Sequence, residues 1–377
     1  MQIKLGQASY DVVIGNQLMK DIGVWVTPLL NRKHTAIVMD THVADLYRDE
    51  LTATFNKHDI KHQTIVLQAG EQTKSFEQLQ GLLNHLLESK IERHDTIIAF
   101  GGGVIGDICG FAASVLRRGV GIIHLPTTLL AQVDSAIGGK TGINTPHGKN
   151  LVGTFHQPKL VLADTDFLDT LGSRNLRAGY AEVVKYGALG NRSFFNWLEN
   201  HGTTILSGNK AHLTEAVIES VRAKAQIIEQ DVFESGSRQL LNLGHTFAHA
   251  LETESGHNET LLHGEAVAIG IVLAFDLSVR LGYCPSSELA RVKSHFASIG
   301  LPTRIREVLR PSWSVKALIN HMQQDKKIVD GKLSFVLVRS IGDAFLCTDV
   351  RTGVLNSVLT DSFAESELEK AAQKSNV

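Results

Sequence analysis

Glycines at fixed spacing are the first feature of this 377-residue sequence that could do chemistry. Gly101, Gly103 and Gly106 fit the pattern G-x-G-x-x-G directly after an apolar run. Between a strand and a helix, such glycines let the backbone approach a diphosphate, and the helix N-terminus offers N–H groups and a positive dipole end. The motif predicts a dinucleotide site, with a tight strand-to-helix turn as the alternative. No acidic residue follows about 20 positions later, so we expect the ribose contact from Asp40 or Glu71.

A polar segment at 134–150, DSAIGGKTGINTPHGKN, is the second feature. It contains Lys140, Lys149 and four glycines, and Arg117 and Arg118 add positive charge upstream. Lysine side chains and backbone N–H groups in one loop can hold phosphate and hydroxyl groups. We predict an anion-binding loop here, with a solvated surface loop as the alternative.

Histidines with a glutamate form the third feature. His245 and His249 are four residues apart on a predicted helix and share a face, while Glu182 precedes them and His263 follows. Imidazole and carboxylate ligands with one open position are typical of a divalent-metal site. The spacing favours the pair His245 and His249, completed by Glu182 or His263, and histidines without a metal are the alternative. Zinc fits these ligand types best, and cobalt or iron also accept them.

The elements that must position these residues change in character along the chain. Short apolar runs separated by helical patterns indicate a parallel sheet, whereas the later part lacks proline from 159 to 284 and has helical periodicity. We therefore predict an α/β N-terminal dinucleotide-binding (Rossmann-like) domain at 1–173, then a mostly α-helical metal- and substrate-binding domain at 174–377, with a hairpin around Asp330-Gly331. The predicted strands are 36–39, 64–67, 96–100, 122–125 and 160–163; the predicted helices are 75–87, one beginning near 106, 180–188, 210–230, 244–252 and 264–281.

Composition narrows the class of protein. With 37 Lys+Arg against 39 Asp+Glu the net charge is −2, so we expect no nucleic-acid partner. Hydrophobic residues at 43% and charged residues at 20% are ordinary for a globular protein. Three scattered cysteines favour a reducing compartment, and we see neither a signal peptide nor an apolar run long enough to span a bilayer. We expect a cytoplasmic protein without a membrane partner.

Eight motifs in consistent order over about residues 1–350 resemble the 3-dehydroquinate synthase family of sugar-phosphate cyclases. They are GEQTKS at 70–75, GGGVIGD at 101–107, PTTLLAQVDSAIGGKTGIN at 126–144, GKN at 148–150, AEVVKYG at 181–187, LLNLGHTFAHALE at 240–252, HGEAVA at 263–268 and DKK at 325–327. The resemblance implies NAD and a zinc or cobalt ion as cofactors, and the homodimer that is common in the family.

The resemblance also implies three sets of site residues. The NAD contacts would be Asp40, Glu71, Lys74, Gly103, Val104, Ile105, Gly106, Asp107, Thr127, Thr128, Lys140, Lys149, Phe167, Leu168, Asp169 and Thr170. The metal ligands would be Glu182, His245 and His263, which leaves His249 as a catalytic residue or a support for the ligands. The catalytic and substrate-binding residues would be Arg118, Asp134, Lys140, Asn150, Lys185, Lys224, Arg238, Asn242, His249 and Lys326, with Lys326 preferred to Lys327 on the DKK motif alone.

The implied reaction is that of a carbon–oxygen lyase of the shikimate pathway, which leads to aromatic amino acids. It converts 3-deoxy-D-arabino-heptulosonate 7-phosphate to 3-dehydroquinate and phosphate. NAD oxidises a ring hydroxyl, phosphate leaves by β-elimination, the hydride returns, and the ring opens and recloses by an aldol step. The metal would act as a Lewis acid and His249 would relay a proton. The implied site lies between the two domains, with closure of the cleft on binding.

Three alternatives stay open at this point. Another NAD- and metal-dependent sugar-phosphate cyclase would share the fold and cofactors but differ in its substrate pocket. A metal-dependent polyol or alcohol dehydrogenase would release NADH in proportion to substrate. A non-catalytic NAD-binding protein would have no need of the metal-ligand set beside so many polar residues.

Overall fold

The computed structural model describes residues 1–256, 260–308, 313–324, 328–329 and 332–364. Contacts between residues divide the chain into two compact units. The first comprises Met1–Val183 and Thr204–Arg238, and the second comprises Val184–Thr203 and Gln239–Val377. The predicted boundary between 173 and 174 stays a prediction, because the contact division falls later in the chain and returns Thr204–Arg238 to the first unit.

The first unit contains a seven-stranded sheet and a separate two-stranded hairpin. The strands are β1 (Gln2–Ile3), β2 (Tyr10–Gly15), β3 (His34–Asp40), β4 (Lys61–Leu67), β5 (Thr96–Gly101), β6 (Gly121–Pro126), β7 (Lys140–Thr145), β8 (Gly148–Phe155) and β9 (Leu160–Asp164). The order in the sheet is β1-β2-β9-β6-β5-β3-β4, and apart from the antiparallel β1 all neighbours are parallel. The five predicted strands are confirmed as β3, β4, β5, β6 and β9.

Helices surround this sheet and build most of the described second unit. They are α1 (Ile22–Val26), α2 (Thr41–Lys57), α3 (Phe76–Glu88), α4 (Gly103–Val115), α5 (Ser173–Gly190), α6 (Arg192–Leu206), α7 (Lys210–Gln230), α8 (His245–Glu254), α9 (His263–Arg280), α10 (Ser286–Ser298), α11 (Val315–Gln324) and α12 (Thr352–Phe363). The six predicted helices are confirmed as α3, α4, α5, α7, α8 and α9.

Alternate residues of the central strands belong to two hydrophobic clusters, one on each face of the sheet. Ala36 and Val38 of β3 pack in one cluster with residues of α3 and α4, whereas Ile37 and Met39 pack in the other with residues of α1 and α2. Burial on both faces explains why these strands read as continuous apolar runs rather than as an alternating pattern. The sheet is therefore the middle of three layers in the first unit.

Two glycines fix the start of α8 in the second unit. Gly244 has φ +81, a left-handed conformation that favours glycine. A Cβ atom on Gly270, in the buried middle of α9, would lie 2.2 Å from the carbonyl oxygen of Gly244. Backbone contact between these two residues is possible only without side chains. It holds His245 against the helix that begins at His263.

The predicted anion-binding loop is wrong as a secondary-structure assignment, because β7 and β8 pair antiparallel there. In β7 only Gly142 and Ile143 are buried, so the apolar alternation that reveals a strand is absent. The other predicted hairpin is confirmed in its strands: β10 (Ile328–Val329) pairs antiparallel with β11 (Lys332–Leu333), while Asp330 and Gly331 lie outside the described residues. Beyond it, β12 (Phe335–Ser340) pairs with β13 (Asp343–Cys347).

Across the described residues, none of the helices has both the length and the apolar character that a bilayer crossing would need.

Candidate functional site

The glycine motif begins helix α4 at the carboxyl end of β5. Cβ atoms on Gly102 and Gly103 would lie 3.1 Å from Thr128 Cγ2 and 3.0 Å from Ser135 Oγ, so bare glycine keeps this turn tight. The N–H of Thr127 donates to the carbonyl of Gly101 at 3.0 Å and ties the ends of β5 and β6 together. Within the described chain, no side chain caps α4. Its first N–H groups therefore suit an incoming anion.

Lys74 lies next to this helix start and is almost completely buried. Its ammonium lies 2.7 Å from Asp107 Oδ2 and 2.5 Å from Asn150 Oδ1. Burial alone would lower the pKa of Lys74, but the charges of Asp107 and Glu71 outweigh it, and the net pKa shift is upward. Lys74 is thus a fixed positive charge beside the glycine turn.

An amide bridge connects the segment after β4 with the β7–β8 hairpin. Asn144 donates its side-chain N–H to Glu71 Oε1 at 2.7 Å, and its side-chain oxygen accepts from the N–H of Asn150 at 3.0 Å. Asn150 has φ +52, and this strained backbone turns its side chain toward Lys74. Three predicted residues, Glu71, Asp107 and Asn150, are therefore brought together around a fourth, Lys74.

Two further lysines of the first unit pair with carboxylates. Lys224 is buried, and its ammonium lies 2.5 Å from Asp134 Oδ1 and 2.6 Å from the carbonyl of the same residue. Lys140 is half exposed and pairs with Glu234. Both ammonium groups thus sit beside a carboxylate that balances their charge within the protein.

Arg238 ends the first unit and is only 1% exposed. Its guanidinium donates to the carbonyls of Gly138, at 2.9 Å, and Val232. Its buried Nε has no hydrogen-bond partner among the described residues. Burial lowers the pKa of Arg238, and the charges of Glu234 and Asp134 oppose that change. The side chain remains a cation, as guanidinium groups do in proteins.

The segment after β9 is a 3-10 helix, Thr165–Thr170. Phe167 packs with its ring centroid 5.1 Å from that of Tyr47, whose hydroxyl lies 2.7 Å from Thr170 Oγ1. Leu168 is buried, and Asp169 pairs with Lys210 at 2.5 Å. The predicted cofactor segment is thus anchored at each of its four residues.

A metal-ligand group is formed by Glu182, His245 and His263. Each offers one ligand atom, and these atoms lie within 4.8 Å of one another. Glu182 is fully buried on α5, where a carboxylate is costly unless a cation or donors offset its charge. His249 is not in the group, although its ring centroid lies 5.5 Å from that of His245. The structure therefore brings together the three ligands implied by the resemblance rather than the pair favoured by spacing.

The two imidazoles are held through Nδ1, which leaves Nε2 of each ring to serve as a ligand. His245 Nδ1 lies 3.2 Å from the carbonyl of Leu243, and His263 Nδ1 lies 3.2 Å from Glu252 Oε2. Glu252 is itself buried. Such a carboxylate fixes the tautomer of a metal-binding histidine and raises its basicity. These two contacts make the group suited to a cation.

Other predicted site residues lie away from these groups, take part in fold contacts, or fall outside the described residues. Asp40 caps α2 by accepting from the N–H of Val43 at 3.0 Å. Arg118 is exposed just beyond the C-terminal end of α4, a helix of 13 residues and so roughly 20 Å from the glycine turn. Lys185 is buried with its ammonium 5.1 Å from the ring centroid of Tyr186. Lys326 and Lys327 lie outside the described residues.

The remaining predicted residues keep positions near these groups along the chain. Val104, Ile105 and Gly106 form the first turn of α4, Lys149 lies on β8, and Asn242 ends a 3-10 helix before α8.

Sequence reasoning missed four residues that hold the site: Glu252, Glu234, Asn144 and Tyr10. Glu252 lies inside the quoted motif LLNLGHTFAHALE, which was the available signal. Asn144 likewise ends the motif PTTLLAQVDSAIGGKTGIN, whereas Glu234 and Tyr10 lie outside the motifs and contact partners far along the chain, so no local pattern reveals them.

Two family models match the chain back to back. The model described as 3-dehydroquinate synthase N-terminal matches residues 64–178, and the one described as 3-dehydroquinate synthase C-terminal matches residues 179–328. The 3-dehydroquinate synthase of Rhodospirillum rubrum is 51% identical over 365 residues, which cover 97% of this chain and 95% of that protein. That of Ruegeria pomeroyi is 49% identical over 364 residues, with coverages of 97% and 98%.

Two solved structures are similar over most of the chain. The 2-epi-5-epi-valiolone synthase from Streptomyces hygroscopicus subsp. jinggangensis, with NAD+ and Zn2+ bound, has a TM-score of 0.87 at 30% identity and covers 95% of this chain and 98% of its own. A 2-deoxy-scyllo-inosose synthase complexed with carbaglucose-6-phosphate, NAD+ and Co2+ shows the same fold, with a TM-score of 0.84 at 24% identity and coverages of 96% and 99%. The two family models and the curated relatives at 51% and 49% identity establish that the chain belongs to the 3-dehydroquinate synthase family.

Proposed function

We propose that this chain converts 3-deoxy-D-arabino-heptulosonate 7-phosphate to 3-dehydroquinate and phosphate, with NAD and one divalent metal as cofactors. The observation that carries the proposal is the convergence of Glu182, His245 and His263 in a chain about half identical to named 3-dehydroquinate synthases. A binding protein that only held NAD would gain nothing from that group.

The residues present fit both cofactors. Two imidazoles held through Nδ1 and a buried carboxylate suit zinc or cobalt, and the bare start of α4 beside Lys74 suits the diphosphate of NAD. When bound, the metal supplies Lewis acidity to the hydroxyl that is oxidised, and NAD supplies a reversible hydride acceptor. Asp40, the glycine turn, Thr127, Thr128 and the segment Thr165–Thr170 would position the dinucleotide.

The cations of the first unit would bind and orient the substrate. A sugar acid phosphate carries a carboxylate and a phosphate, and Lys140, Lys224 and Arg238 can neutralise both. Asp134 and Glu234 keep two of these charges balanced before the substrate arrives. Fixed cations hold the anionic groups of the substrate in one orientation through several successive steps.

Side chains of the second unit would handle protons and hydroxyl groups. His249 is partly exposed near the metal-ligand group and can take the proton of the hydroxyl being oxidised, a task suited to imidazole near neutral pH. Lys185 and Asn242 would donate to substrate oxygens. Arg118 and Lys326 remain proposed substrate ligands on the motif resemblance alone.

The test is a turnover assay with purified protein, the heptulosonate phosphate and NAD at a small fraction of the substrate concentration. We expect phosphate release to run to completion while the absorbance of NADH stays flat. NADH accumulating in proportion to substrate would indicate a polyol dehydrogenase instead. Phosphate release from a non-carboxylated sugar phosphate, but not from the heptulosonate, would indicate another cyclase.

We also propose that the enzyme is a homodimer and works in the cytoplasm. The family resemblance supports the first statement and the three scattered cysteines support the second. Sedimentation equilibrium of the purified chain tests the dimer, and a monomer at all concentrations would contradict it.

A further inference from the structure

Tyr10, at the start of β2, contacts the glycine turn that leads into Lys140. It is 3% exposed, and its hydroxyl accepts a hydrogen bond from the N–H of Gly138 at 3.0 Å. Burial raises the pKa of Tyr10 to about 12, although the Gly138 N–H and the charge of Arg238 oppose the rise. The phenol is therefore neutral at any pH at which the enzyme would work.

The same residue is held through its carbonyl oxygen by Arg238. Its guanidinium donates to the carbonyl of Gly138 at 2.9 Å, and Gln157 donates to the same oxygen at 3.3 Å. Both polar groups of Gly138 are thus fixed by buried or partly buried side chains. One contact comes from β2 and another from beyond α7, so elements far apart in sequence meet on one residue.

The turn itself has no room for a side chain at either glycine. Gly138 and Gly139 have φ +92 and φ +68, conformations that side chains disfavour. A Cβ atom on Gly138 would lie 2.5 Å from Ile228 Cδ1 and 2.6 Å from Arg238 Nη2. Gly138 therefore contacts Arg238 directly and lies two residues before Lys140, so a shift of this residue would reach both cations.

We propose that Tyr10 is a positioning residue for substrate binding, which acts by fixing Gly138 between its hydroxyl and Arg238. This rests on the proposed function, in which Lys140 and Arg238 bind the anionic groups of the substrate. Tyr10 touches neither cofactor nor substrate in this role. Without its hydroxyl, the N–H of Gly138 loses a partner in a buried place, and the turn shifts to recover one.

The test compares the unmodified chain with Tyr10→Phe, which keeps the ring and removes only the hydroxyl group that accepts from the N–H of Gly138. We expect the KM for the heptulosonate phosphate to rise about 10-fold while kcat changes less than about 2-fold, because orientation of binding cations acts on ground and transition states alike. The Kd for NAD and the metal content should not change. Amide hydrogen exchange of the peptide containing Gly138 should become faster.

Tyr283→Phe is the control, since Tyr283 is 43% exposed on the second unit and removal of its hydroxyl should leave KM and exchange unchanged. An unchanged KM in Tyr10→Phe would overturn the proposal, and so would a fall in kcat alone, which signals general damage. Unchanged exchange would show that the hydrogen bond does not hold the turn. Absence of phosphate release from the unmodified chain would instead refute the proposed function, while the exchange measurement would still report on the turn.

Discussion

The two ends of strands β3 and β5 carry ion pairs of different kinds. Before the strands, Arg32 forms a two-pronged pair with Asp95, through Nε at 3.1 Å and Nη2 at 2.5 Å. Asp95 also accepts from the N–H of Glu92 at 2.8 Å, and Arg32 donates to the carbonyl of Lys90 at 3.2 Å. The protein itself satisfies these charges, so the cluster stabilises the fold and has little left to offer a ligand.

After the strands, the ion pair lies beside the first N–H groups of α4, which no described side chain caps. Lys74 and Asp107 meet at 2.7 Å next to the glycine turn. Helices α2 and α3 are capped by Asp40 and Ser75, whereas no described side chain caps α4. The comparison indicates that the number of ion pairs does not identify a ligand site. An ion pair beside a helix start without a side-chain cap is the more informative feature.

Replacement of Lys74 is the largest change that this comparison predicts. Lys74→Met keeps the length of the side chain but leaves the Asp107 carboxylate buried without its ammonium partner. Loss of one partner of a buried pair is strongly unfavourable, and we expect the Kd for NAD to rise about 100-fold. Fluorescence titration with NADH measures it. Lys57→Met, at the exposed end of α2, is the control, and equal NAD affinity in the two variants would break the comparison.

Glu252 extends the same contrast to the second unit. Glu252→Gln removes the carboxylate that lies 3.2 Å from His263 Nδ1, and we expect metal affinity to fall about 10- to 100-fold. Competition with a chromogenic chelator measures the affinity without any turnover. Glu254→Gln is the matched control on α8, since Glu254 pairs with His321 at 2.7 Å outside the metal-ligand group. Similar losses in both variants would contradict the orienting role of Glu252.

A single methyl group at the glycine turn should have a smaller effect. In Gly103→Ala the new Cβ lies 3.0 Å from Ser135 Oγ and narrows the approach to α4, so we expect the Kd for NAD to rise about 10-fold. Gly81→Ala on α3 meets no atom within 4 Å and should leave NAD binding unchanged while stabilising the helix. Calorimetric titration with NAD measures the Kd of both variants.

The cluster before the strands should affect stability alone. Asp95→Asn weakens the pair with Arg32, and we expect the midpoint of thermal unfolding to fall by roughly 2–4 °C with an unchanged Kd for NAD. Differential scanning fluorimetry with and without NAD measures both. A marked loss of NAD affinity would show that this end of the sheet also serves the ligand.

The same carboxylate gives a small pH dependence. Burial would raise the pKa of Asp95, but hydrogen bonds from Arg32 and Glu92 outweigh it and the net pKa shift is downward. A carboxyl group with a lowered folded pKa contributes stability above its unfolded pKa of about 3.9, and that stability is lost as the pH falls through the folded value. The free energies of unfolding in urea of Asp95→Asn and the unmodified chain should therefore differ at pH 6, and the difference should shrink as the pH falls below the unfolded pKa of about 3.9. A difference in the free energy of unfolding that stayed constant with pH would contradict the lowered pKa of Asp95.

The sequence predicted the sheet well and the hairpin poorly, for one physical reason. Strands such as β5 are buried on both faces and read as continuous apolar runs, which local patterns detect. Strand β7 exposes polar residues because it borders the candidate site, so the pattern suggested a loop. The pairs Asp134–Lys224 and Lys140–Glu234 bridge 90 residues or more of chain and leave no local trace.

The metal-ligand group shows the same limit. Helical spacing alone favoured His245 with His249, because residues four apart share a face. Which of these histidines joins the metal-ligand group depends on the contact between Gly244 and Gly270 and on the hydrogen bond that His263 Nδ1 donates to Glu252. Local spacing left Glu182 and His263 as alternatives to complete that pair, and only the motif resemblance joined both of them to His245 and left out His249.

The most direct measurement concerns the path of the hydride. Substrate carrying deuterium on the carbon that bears the oxidised hydroxyl would be turned over with unlabelled NAD, and product and cofactor would be analysed by mass spectrometry. If the hydride is lent and returned within one turnover, the product keeps its deuterium and the recovered NAD carries none. Deuterium accumulating in the cofactor pool, with unlabelled product, would contradict the account.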